Sequence, residues 1–171
     1  MRPVRGAEAN TDVKAFMDFR ASVTPDAEMV LVMDPVAGDK IRAYGTGNLQ
    51  MGYTSFDEKL TMYGRYILDR GSYNFSLQDV ILKTFTIRPG SSISFNGDPY
   101  HALLNIDGIY RVNTNLTDLD PSFATDRDLN RTNVPVEAVL RVQGDMTQPD
   151  ISFDIELPSV NEDVERKVKS I

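Results

Sequence analysis

A chain of 171 residues is long enough to bury a core of its own without a metal or disulfide staple. Its 25 acidic and 18 basic residues give a net charge of −7, which argues against nucleic acid and against an anionic headgroup patch as partners. The absence of cysteine removes thiol catalysis, zinc–thiolate sites and disulfides without fixing the compartment.

Met1 to Asp12 has no periodicity, does not read as a signal peptide, and is expected to be a disordered leader to a single β domain over 13–171. From there the chain alternates apolar and polar residues. Val13, Ala15, Met17, Phe19, Ala21 and Val23 share one parity. The run Met29 to Met33 is the longest apolar stretch, far short of the roughly 20 residues of a membrane-spanning helix. Ile41 through Tyr53 and Leu60 through Leu68 alternate again, a turn is expected at Asp69 to Ser72, and Tyr73, Phe75 and Leu77 resume the pattern. Ala102 through Leu116 gives another long stripe. Asp118 to Asn133, rich in Asp, Arg, Asn and Thr, reads as a loop.

The strongest signal follows. Val134, Val136, Ala138, Leu140 and Val142 lie opposite Pro135, Glu137, Val139, Arg141 and Gln143. After a turn, Ile151, Phe153, Ile155 and Leu157 alternate with Asp150, Ser152, Asp154 and Glu156. A period of two over such lengths means strands with one dry and one wet face. Strands are predicted near 13–23, 40–53, 59–69, 72–78, 80–88, 91–96, 101–116, 134–144 and 150–157. Ser159 and Glu162 form a capping box, and Val160, Val164, Val168 and Ile171 follow at helical spacing, so a short C-terminal helix that stops in mid-pattern is expected, as in a fragment of a larger protein.

The predicted fold is therefore all-β, a large, mainly antiparallel sheet that curls over its own apolar side. Leu49, Met51, Met62, Tyr66, Phe75, Leu104, Ile106, Val136, Leu140, Ile151, Phe153 and Ile155 are expected to share one apolar surface. Arg65, Asn105, Glu137, Arg141, Asp154 and Glu156 are expected to point outward. Gly45, Gly47, Gly64 and Gly108 interrupt the stripes, where missing side chains either bend a sheet or widen a lumen. Asn96-Gly97 reads as a tight turn, with weaker turns at Gly38-Asp39 and Arg70-Gly71.

Chemical motifs are weak by comparison. His101, the single histidine, reads as a solvated or hydrogen-bonded structural residue, and no serine has a histidine and acid arranged around it in sequence. Asp118, Asp120, Asp126 and Asp128 lack the order of a calcium loop and read as solvated. Asp150, Asp154 and Glu156 share a strand face and offer paired carboxylates for glycoside chemistry, but a wet strand face is the safer reading. No catalytic residue, metal site or cofactor is assigned.

The succession Leu60-Thr61-Met62-Tyr63-Gly64-Arg65-Tyr66-Ile67-Leu68-Asp69-Arg70-Gly71-Ser72-Tyr73-Asn74-Phe75, then Lys83 to Ile87 and Gly90 to Pro99, resembles the C-terminal domain of the TamB family, the translocation and assembly module subunit. Leu104-Asn105-Ile106, Ala138 to Gly144, Gln148 to Phe153 and Leu157-Pro158 continue the likeness, and Val23 to Ala27 with Met33-Asp34-Pro35 resembles the Bacteroidota branch.

The resemblance implies a periplasmic segment of a large envelope protein whose parent is anchored in the inner membrane, related to the AsmA-like bridge proteins. It implies a U-shaped β-groove, the β-taco, whose apolar interior guides phospholipid acyl chains between the inner and outer membranes. It also implies pairing with a TamA-like barrel protein of the BamA class through the parent's C-terminal region, and no enzyme activity. Alternation alone does not distinguish a groove from a filled core. A chaperone-like module that adds a strand to outer-membrane barrel proteins, or a β-rich carbohydrate-active fragment using Asp150 to Glu156, are the alternatives.

Overall fold

The computed structural model describes residues 13–77, 81–115 and 133–156. The expected leader, the helix from Ser159 and the acidic loop, except Asn133 at its end, lie outside the described residues. The described strands form one antiparallel sheet in which spatial order follows chain order. β1 (Phe16–Val23) and β2 (Glu28–Asp34) lie end to end along β3 (Asp39–Thr54), which pairs with β4 (Lys59–Leu77). β5 (Ile81–Ile87) and β6 (Ser91–Gly97) likewise lie end to end along β4. β7 (Leu103–Asn115), β8 (Asn133–Asp145) and β9 (Asp150–Glu156) follow, so nine strands occupy seven rows.

Three sequence expectations are corrected. The first concerns the turn at Asp69 to Ser72, which is absent, because β4 runs through it for 19 residues. Tyr44 pairs with Arg70 and Gly45 with Leu68, leaving Asp69 as an extra bulged residue. The bulge moves the apolar parity of β4 from even (Tyr66, Leu68) to odd (Tyr73, Phe75), so both halves face the same side. In sequence that parity change mimics a chain reversal. Gly45 permits the close approach, since any side chain there would run into the Ile67 carbonyl.

The second correction is β2, which the strand list omits. Met29, Leu31 and Met33 pack on the core while Val30 and Val32 are exposed, and because both faces are apolar no alternation is visible in the sequence. The third is Asn96-Gly97, which does not form a two-residue hairpin. It ends β6, and the Asp98 carboxylate then accepts the Tyr100 N–H at 2.9 Å to cap a 3-10 turn at Pro99–His101.

The sheet is strongly curled. Phe75 on β4 and Phe153 on β9 stand four rows apart, about 19 Å in a flat sheet at roughly 4.8 Å per row. Their rings lie 6.0 Å centre to centre, and Phe153 also meets Phe85 at 6.5 Å. Between them the inner face is packed with Ile41, Leu68, Tyr73, Ile87, Ile93, Ile106, Leu140 and Val142, all essentially without solvent contact.

The outer face carries one unexpected feature. Glu137 and Val139 belong to the polar face of β8, yet Val139 is fully buried and Glu137 is 6 % exposed. The register places Asp107 beside Arg141, Arg111 beside Glu137, and Glu156 beside Glu137. Arg88, at the junction of β5 and β6, reaches Glu156 at 2.7 Å, Asp107 at 3.2 Å and Glu137 at 3.9 Å, while Arg111 holds Glu137 at 2.6 Å. Arg141 joins Asp154 and Glu156, both at 3.4 Å. Glu137 therefore points outward as expected, but it is buried there beneath its partners Arg88 and Arg111, while the other members of the lattice stay partly exposed.

Two outcomes test this account. Gly45→Ala should lower stability by about 2–4 kcal/mol, because the clash is with backbone that the bulge cannot move. Denaturant unfolding measures it. Arg88→Ala should cost about 1–3 kcal/mol by leaving a buried carboxylate short of a partner, whereas Arg42→Ala, which breaks the exposed pair with Glu28, should cost under about 1 kcal/mol.

Candidate functional site

The register sets the twelve residues predicted for the apolar surface on one face of the sheet. Burial divides them. Tyr66, Phe75, Leu104, Ile106 and Leu140 belong to the packed core, and Leu49 and Val136 are buried beside it. Met51 and Met62 are half-buried, and Ile151, Phe153 and Ile155 on β9 are exposed. The middle of the curled face is thus filled by its own side chains, while its margins are not.

At one margin lies a cleft of about 590 Å³. Leu49, Met62 and Tyr66 contribute from β3 and β4, Val23 from β1, and Met29 and Leu31 from β2. Phe95 on β6, Tyr100 in the 3-10 turn and Met146 in the β8–β9 turn close the far side. The walls are almost wholly hydrocarbon, with three methionines whose unbranched side chains adapt to irregular shapes. Leu60 lines its end toward the β3–β4 hairpin, and beyond it Met17 and Phe19 leave the inner face exposed. Met29 and Leu31 escaped the sequence reading because the run Met29 to Met33 hides its alternation. Tyr100 and Met146 sit in turns, where no periodicity exists to find them.

Two links pin the 3-10 turn to the β8–β9 turn at the rim of the cleft. The Met146 N–H donates to the Ala102 carbonyl at 2.9 Å, and His101 Nδ1 lies 2.9 Å from an Asp145 carboxylate oxygen. His101 is therefore a hydrogen-bonded structural residue. Asp145 accepts from the Thr147 hydroxyl at 2.6 Å and from the Thr147 N–H at 2.8 Å, which, with His101, hold its pKa down at about 2. The Asp145 hydrogen bond and charge raise the pKa of His101.

The other chemical candidates resolve simply. Asp154 and Glu156 are engaged by Arg141 and Arg88, and Asp150 is exposed at the start of β9. Asp118, Asp120, Asp126 and Asp128 lie outside the described residues.

The described strands thus form a single antiparallel sheet curled over an apolar face, with a hydrocarbon cleft at its margin and with Asp107, Glu137, Asp154 and Glu156 engaged in ion pairs on the opposite face. The family model of the TamB C-terminal domain matches residues 2–168, and the chain belongs to that family. Membership implies a role in outer-membrane biogenesis within the cell envelope and a partnership with TamA, in a family of transport and assembly proteins rather than enzymes. No curated protein and no solved structure matches the chain.

The link at the rim has a pH signature. A raised His101 pKa contributes stability that is complete below about 6.5 and lost as pH rises through the folded value. The depressed Asp145 pKa contributes stability that is present above its unfolded value and lost as pH falls toward about 2. The pair is therefore strongest between about pH 4 and 6.5. NMR titration should place His101 above 6.5, and Asp145→Asn should return it toward that value.

Proposed function

We propose that this domain is a periplasm-spanning groove segment that guides phospholipid acyl chains between the inner and outer membranes, in a parent anchored in the inner membrane. The observation that carries the reading is the apolar inner face where the curl leaves it uncovered, at the cleft and along Met17, Phe19 and Leu60. A sixteen-carbon acyl chain exposed to water costs on the order of 12 kcal/mol at about 0.8 kcal/mol per methylene. A hydrocarbon wall removes most of that barrier with no catalytic group and no charged anchor. On this reading the lipid path runs along the unfilled margin of the face, with Leu49, Met51, Met62 and Tyr66 among its lining, rather than through the packed middle.

One observation favours a second reading, a chaperone-like module that takes outer-membrane barrel strands by strand addition. β9 has a single described neighbour, β8, and carries exposed Ile151, Phe153 and Ile155.

Met62 separates the two, because Leu104 and Leu140 are sealed in the core and a charge there tests folding alone. Met62→Arg should reduce co-purifying phospholipid, measured by mass spectrometry of the extracted protein, about tenfold or more, as even partial desolvation of the charge costs over about 1.4 kcal/mol. Gln50→Arg, on the opposite face, should leave it unchanged. Full lipid loading of a folded Met62→Arg protein would overturn the groove and favour strand addition.

A further inference from the structure

Tyr66 is 1 % exposed, and its hydroxyl is the one buried side-chain polar atom among the described residues that lacks a hydrogen-bond partner. Gly47, its register partner on β3, has no side chain, and the ring lies over it, so that a Cβ there would meet Tyr66 Cδ2 at 3.3 Å. Gly47 pairs in turn with Val23 on β1, so the ring leans toward the β1 side, where Val23 and Met29 form the wall of the cleft. The rest of that lining is almost wholly hydrocarbon. The only charged group of the lining, Glu28, sits at the surface and is paired with Arg42 at 3.5 Å.

An unpaired buried hydroxyl costs about 1–3 kcal/mol, and a phenylalanine of the same shape would avoid that cost. Burial, reinforced by the charge of Asp69, also pushes the phenol pKa up, so the group remains a donor throughout the physiological range.

We propose that the cleft is a discrete seat for one acyl chain and that the Tyr66 hydroxyl donates a hydrogen bond to the ester carbonyl at the head of that chain. The proposal rests on the groove reading and deepens it. An unbroken hydrocarbon conduit lets chains slide without register, whereas a single donor behind that wall holds the ester at one depth. A volume of about 590 Å³ is in the range of small-molecule sites, about 300–1,000 Å³, and suits one chain rather than a whole phospholipid. The ester carbonyl is the acceptor that every diacyl phospholipid carries next to its chains, and because the Tyr66 hydroxyl is sealed from solvent, binding it requires neighbouring side chains of the wall to move aside. The headgroup stays in solvent, in keeping with a cleft whose one charge is acidic.

The test compares 1-palmitoyl lysophosphatidylcholine with its 1-O-hexadecyl ether analogue, which has the same chain and headgroup but no carbonyl. Both are titrated calorimetrically below their micellar concentrations into the 171-residue chain and into Tyr66→Phe. The ester should bind the native chain about three- to tenfold more tightly than the ether, and Tyr66→Phe should abolish that difference by weakening the ester alone. Ligand-free Tyr66→Phe should unfold at the same or a higher denaturant concentration, which shows that any loss of ester binding is not a loss of fold. Equal binding of ester and ether to the native chain would overturn the carbonyl contact and leave the groove reading standing. If neither lipid bound, or if Met62→Arg left both affinities unchanged, the groove reading itself would fall.

Discussion

A sheet with one apolar face and no second layer among the described residues has to bury that face against itself. Every other feature of this domain answers to that constraint. Apolar surface left in water costs roughly 25 cal/mol per Å², and seven rows of long strands present far more of it than a single flat sheet can shield. Curling solves the problem by bringing Phe75 and Phe153, four rows apart, into ring contact.

Curling such long strands without turning their apolar side outward requires local breaks in the ladder. The bulge at Asp69 shifts the parity of β4 midway, and rows one and four are each split in two, between Val23 and Glu28 and between Ile87 and Ser91. The second split is where Arg88 leaves the ladder. Its guanidinium gathers acids from β7, β8 and β9 on the convex side, so the bend is held from outside by charge as well as from inside by packing.

The same constraint accounts for the cleft. Self-burial is complete where large side chains from opposite rows meet, and it stops toward the N-terminal part of β1 and the hairpin end of β3 and β4, where Met17 and Phe19 stay exposed. There the inner face ends in methionines and an orphan hydroxyl rather than in close-packed branched residues. On the proposed groove function, the uncovered margin rather than the core is where an acyl chain would be held. The His101–Asp145 link fastens the rim of that margin without contributing to its apolar wall.

The sequence by itself determined the class of fold and the sidedness of most strands, because side chains alternate across a strand with a fixed period of two, and that period survives in any tertiary setting. The stripes of β3, β7, β8 and β9 were legible for that reason, as were Leu49, Met62 and Tyr66 in the wall of the cleft. Alternation disappears when both faces are apolar, so β2 was not legible, and it slips by one at a bulge, so β4 read as two strands joined by a turn. Only the tertiary structure decided which apolar residues are sealed and which remain open, since that depends on how far the sheet curls and on which rows meet across it. The burial of Glu137, the gathering of four acids around Arg88 and Arg141, and the placing of Met146 and Tyr100 opposite Met29 arise from contacts between residues distant in the chain, and no local pattern encodes them.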